Sequence, residues 1–147
     1  MESLRGSVSF GTVHPQALKP EHIAMLEEVG KLDSDCTIVD VLEKLANDKA
    51  QIWLYERAEE GFHGLVVTQI HQVFHSKILY VWKVIGAGMT NDLQHIHDVL
   101  IQYGQVQGCS KVRMEVQPHL VKAFQRRGLD FKVTQVILEK EIPNGEG

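Results

Sequence analysis

The stretch Lys83-Val84-Ile85-Gly86-Ala87-Gly88 carries the residue types that hold an anion. It joins an apolar, strand-like run (ILYVWKVI) to a helical one (LQHIHDVLIQY). Glycines at such a junction let backbone N–H groups close on a phosphate at the positive end of a helix, and Lys83 adds a cation. The same residues also read as a plain turn ahead of a self-capped helix. Asn91 is then the N-cap, Gln94 at N3 closes a capping box, and Asp92 at N1 puts a carboxylate where a phosphate would go. Two anions there repel by a few kcal/mol at about 4 Å if the effective dielectric is ~20.

Eight histidines invite a metal, but their spacings do not support one. His95 and His97, two apart on a helix, point to opposite sides. His71 and His75 on an extended strand would be ~13 Å apart. There is no H-E-x-x-H and no cysteine pair at zinc spacing, so no metal site is expected. Cys36 and Cys109 read as buried thiols rather than a disulfide framework. Lys122 and Arg126 form an i, i+4 pair near Arg127 and Lys132. They could touch a phosphate or form the solvated face of a helix whose Leu120, Val121 and Phe124 turn inward.

These residues are positioned by a recognisable series of elements. A short strand around Ser7–Val13 is followed by a helix opened by Pro20 and closed by Gly30, with Ile23, Leu26 and Val29 on one face. Thr37 and Asp40 form a capping box ahead of a stripe at Ile38, Val41, Leu42 and Leu45. The period then switches. QIWLYE, the turn RAEEG, FHGLVVTQIHQVF, a turn at His75–Lys77 and KILYVWKVI read as a three-stranded antiparallel meander. Trp53, Phe74 and Trp82 all fit core positions of that sheet. A helix from Asp92 to about Gln107 ends at Gly108. The strand KVRMEV comes next, with Val112, Met114 and Val116 facing one way and Arg113 and Glu115 the other. A helix between Pro118 and Gly128 and a last strand, FKVTQVILEKEI, complete the order (β)ααβββαβαβ. That is an α/β fold with a mixed sheet and helices on both faces, expected as a single domain over 1–142 with a frayed tail at 143–147.

This order resembles the GNAT superfamily of acetyl-CoA-dependent N-acyltransferases over roughly Pro20 to Ile142. The C-terminal third, CSKVRMEVQPHLVKAFQRRGLDFKVTQVILEKEI, is similar to that family's strand, its helix ending in a "FYEKLGF"-like turn, and its final strand. Short phage-encoded GNAT-fold proteins look closest. They share the strand GLVVTQI (Gly64 to Ile70), the approach to the next strand at Gly108, Cys109 and Val112, and the ending ILEKEI.

The resemblance implies a [QR]-x-x-G-x-[GA] loop for the CoA pyrophosphate. Lys83, Gly86, Ala87 and Gly88 match its spacing, with Lys in the first place and no loop residues between strand and glycines. It also implies a tyrosine acid on the penultimate helix, but that position here is Phe124, which has no proton to give. The family's Asn after the preceding strand aligns with Gln117, a ligand contact or simply a helix N-cap. Glu115, on the strand flanking the cleft, is then the candidate base. Tyr80 is the candidate replacement acid, with a core tyrosine as its plainer reading.

Two functions follow. One is a non-catalytic GNAT-fold module with a degenerate acetyl-CoA site, a phage-type virion, assembly or binding component. The other is an acetyl-CoA-dependent N-acetyltransferase acting on a small amine or a protein amino group. The whole chain limits the partners. A net charge of −4 argues against nucleic acid. Residues 1–60 hold 6 basic against 12 acidic side chains, whereas 61–147 hold 9 against 7. Neither an apolar run near ~20 residues nor a signal pattern at MESLRGSVSF is present. A cytoplasmic location (the host cytoplasm or a virion), a protein partner or self-association, and no membrane contact are the expectations.

Overall fold

Apolar residues at helical spacing and apolar residues at strand spacing meet on two faces of one sheet. The computed structural model describes residues 8–28, 36–86, 89–116 and 118–143. The chain divides into two compact units, Met1–Glu115 and Val116–Gly147. Among its described residues the first contains five strands, β1 (Val8–Val13), β2 (Gln51–Arg57), β3 (Gly61–Val73), β4 (Ser76–Gly86) and β5 (Lys111–Met114), in the spatial order β1-β2-β3-β4-β5. Pairing is antiparallel from β1 to β4 and parallel between β4 and β5, so the sheet is mixed.

Helices α1 (Pro20–Leu26) and α2 (Ile38–Ala46) cover one face. Leu26, Val41 and Leu45 bury there against Ile52, Leu65, Val67 and Ile85. Each such fully covered side chain contributes roughly 1.5–3 kcal/mol relative to exposure. The α2 start is built as its sequence suggests, the Thr37 N–H donating to Asp40 Oδ2 at 2.8 Å. Val29 and Gly30, expected at the end of the first helix, lie outside the described residues. Helix α3 (Leu93–Val106) covers the other face, where Ile96 and Leu100 pack with Phe10, Trp53, Tyr55, Val66, Leu79 and Val81. That side holds a buried polar chain: Trp53 Nε1 donates to Thr68 Oγ1 at 3.0 Å, which donates to Gln51 Oε1 at 2.8 Å. Buried polar atoms without such partners would cost stability.

Two bulges interrupt the meander. Against β2, the β3 register steps from Gly64 to Phe62 and leaves His63 as the extra residue. Against β3, the β4 register steps from Val81 to Lys83 and leaves Trp82 extra. The turn between β3 and β4 is Phe74-His75 rather than His75–Lys77, because Val73 already pairs with Ser76. Phe74 is therefore not a core residue of the sheet; it is 92% exposed at the hairpin tip.

The second unit holds α4 (Pro118–Arg126), ended at Gly128 in a left-handed conformation (φ 69°). Phe124 packs on Phe131, ring centroids 5.5 Å apart. The expected last strand is not formed: 131–143 carry no strand pairing. A strand exists only with a hydrogen-bonded neighbour, and among its described residues this unit contains no other strand to pair with.

Candidate cofactor site at the edge of β4

Strand β4 is paired on both sides only in its first half. Ile78 to Val81 match Lys111 to Met114 of β5; from Trp82 to Gly86 the described partner is β3 alone. The change comes at the Trp82 bulge. A bulge bends its strand and turns backbone groups out of the ladder, which is why bulges recur beside binding sites. A strand end paired on one side within its own sheet is the kind of edge to which an extended, amide-containing ligand can add. Nothing in the residue types around Trp82 signals this, because a bulge is a property of two registers.

Gly86, the last residue of β4, has φ 127° and pairs with Gly64. A Cβ on Gly86 would stand 2.5 Å from both Gly64 Cα and His63 O, and one on Gly64 would stand 2.8 Å from Ile85 O. The glycine at this position is thus required by the approach of two strands, whether or not a ligand lies beyond it. Lys83 is half-buried, its Nζ 5.5 Å from the Trp82 ring centroid. Ala87, Gly88 and Gln117 lie outside the described residues.

The start of α3 differs from the expected self-cap. A 3-10 turn spans Met89–Asp92, Asp92 rather than Asn91 is the N-cap, and the Gln94 amide donates instead to Asp98. The reason lies on β2. The Tyr55 hydroxyl donates to Asp92 Oδ2, and Arg57 Nη2 stands 3.7 Å from the same oxygen. Tyr55 is buried, and burial, then the bond to Asp92 and that carboxylate's charge, push its phenol from 10.0 to about 12. The Asp92 charge is therefore offset by Arg57, and the repulsion expected of a bare carboxylate is reduced. Sequence reasoning missed Tyr55 and Arg57. Their only signal is that they alternate along β2, and their partner is 37 and 35 positions away.

The candidate acid lies on β4 and the candidate base just past the end of the neighbouring β5. Tyr80 is half-buried in the doubly paired half of β4, stacked on His71 at 5.0 Å and opposite Arg113 in register. Glu115 is exposed, one residue past β5. His63 is near the glycine pair, its Nε2 2.8 Å from Glu60 Oε2 but out of line for a hydrogen bond. Among the described residues no three His, Cys, Asp or Glu side chains cluster as a metal site.

No protein-family model and no curated protein matches the sequence. Solved structures do match. An acetyltransferase from Trypanosoma brucei superposes over 92% of this chain and 100% of its own, at 11% identity and a TM-score of 0.65. The chain has the GNAT fold. Glucosamine-6-phosphate N-acetyltransferase from Arabidopsis thaliana covers 92% of this chain and 99% of itself, at 14% identity and a TM-score of 0.62. A transcriptional regulator from Bacillus halodurans gives 92% and 99%, at 13% identity and a TM-score of 0.66. Among the described residues no helix is long and apolar enough to cross a membrane.

Proposed function

We propose that the chain binds an acyl-CoA, acetyl-CoA in the first instance, along the open edge of β4 and acts as an N-acyltransferase on an amine. The observation that carries this reading is the bulge at Trp82, placed where β5 pairing stops. Acyl-CoA supplies an activated thioester. The residues present suit it: Trp82 to Gly86 would hydrogen-bond its amide-rich arm, and Lys83 and Arg57 would balance its phosphate charge against Asp92. Glu115 takes the proton of the incoming ammonium and Tyr80 supplies one to the leaving group, since Phe124 cannot.

A second reading, a non-catalytic binding or assembly module like the phage-encoded proteins the sequence resembles, is favoured by Asp92. Its carboxylate already occupies the start of α3 with two partners of its own. Thermal unfolding with millimolar acetyl-CoA separates the two. Ligand at ~100 times its dissociation constant stabilises by about 2.7 kcal/mol, several degrees for a domain this size. No shift with acetyl-CoA or CoA favours the module.

A further inference from the structure

The tip of the β3–β4 hairpin presents a large side chain that the fold does not call for. Phe74 occupies the first of two loop positions with φ 51°, where glycine is preferred, and is 92% exposed. Val73 beside it is 39% exposed. The turn is held, the Gln72 side-chain amide donating to Phe74 O at 3.0 Å, so the ring projects from an ordered ribbon. No Asp or Glu occurs from Gln69 to Tyr80, whereas His71, His75 and Lys77 do, and Lys111 pairs beside Ile78.

The other end of β3 has the opposite character. The exposed turn Ala58-Glu59-Glu60 borders an open concavity of about 260 Å³ lined by Ser9, Glu56, Arg57, Ala58 and Gly61. Arg57 is drawn to Asp92 and Glu60 stands 2.8 Å from His63 Nε2, so Glu56 and Glu59 set the sign of this rim. The concavity is large enough for a phenyl ring. Roughly 40 Å of extended strand separates the two ends, so a molecule cannot satisfy its own tip.

We propose that Phe74 of one copy seats in this concavity of a second copy, with Lys77 set against Glu56 and Glu59. The contact is heterologous: it joins two different surfaces of the same chain, both within the first unit. Its area falls well below the ~800 Å² per partner of a stable complex, so it is weak and reversible and loosens as salt rises.

Sedimentation equilibrium of the intact chain up to ~1 mM tests it, with Phe74→Ser as the tip variant and Ala58→Arg as the concavity variant. Both positions are exposed, so both variants should fold. Wild type is expected to rise above 16.6 kDa with concentration, and each variant alone to associate at least tenfold more weakly. Mixing the two variants restores one intact contact, and the mixture is expected to form heterodimers. A wild type that stays monomeric throughout, association unchanged in Phe74→Ser, or a mixture no more associated than its parts would overturn the proposal.

Discussion

The two ends of the β3–β4 hairpin use a positive φ in opposite ways. At the closed end Gly86 sits at φ 127° against Gly64, where no side chain fits. At the tip Phe74 sits at φ 51°, where a glycine would be at ease and a phenylalanine is strained and exposed. The first position is accounted for by packing inside the sheet. The second is not, since the strained ring is exposed and packs on nothing inside the sheet.

Reciprocal substitutions sharpen the contrast. Gly86→Ala is expected to destabilise by roughly 3 kcal/mol or more, because its Cβ meets backbone rather than a yielding side chain. Chemical denaturation with and without acetyl-CoA checks this; an unchanged midpoint would mean that Gly86 is not pressed against β3. At the tip, Phe74→Gly is expected to act in the other direction.

Next in size is Tyr55→Phe. Removing the hydroxyl leaves a mostly covered carboxylate short of a donor, a loss of about 1–3 kcal/mol. The same group sets an alkaline limit. Its pKa is raised on folding, so its stabilisation is complete below the ordinary value of 10.0 and is lost as pH climbs toward about 12. Melting temperatures across that range should fall more steeply for wild type than for Tyr55→Phe. Parallel slopes would remove the Tyr55–Asp92 bond from the description.

Those residues also mark how far the sequence could be read. The meander, the α2 stripe and the Thr37–Asp40 cap were legible because each depends on neighbours within a few positions. The bulges at His63 and Trp82 were not, since they depend on how two strands align. The start of α3 departs from its local sequence signals because Tyr55 and Arg57 reach Asp92 from a distant strand. The segment 131–143 alternates well enough to suggest a strand, yet alternation cannot supply the partner. By its type Phe74 suits the core, but its position in a two-residue turn decides otherwise.

A smaller effect is expected from Asp92→Asn. It leaves Arg57 and the α3 dipole without their counter-charge and should tighten acetyl-CoA binding by up to ~1 kcal/mol, about fivefold. Calorimetric titration reads it directly, and weaker binding would mean the carboxylate assists the ligand. Smallest of all, Phe74→Gly should raise stability by a few tenths to ~1 kcal/mol as strain is released. A loss instead would show that the ring packs on its own molecule.

The most direct test of the cofactor site is amide hydrogen exchange with residue resolution, with and without saturating acetyl-CoA. Binding along the open edge predicts slowed exchange at Trp82 to Gly86, with Ile78 to Val81 little changed because they are already paired on both sides. Exchange that is unaltered from Trp82 to Gly86 while acetyl-CoA is present in excess would contradict the assignment of this edge.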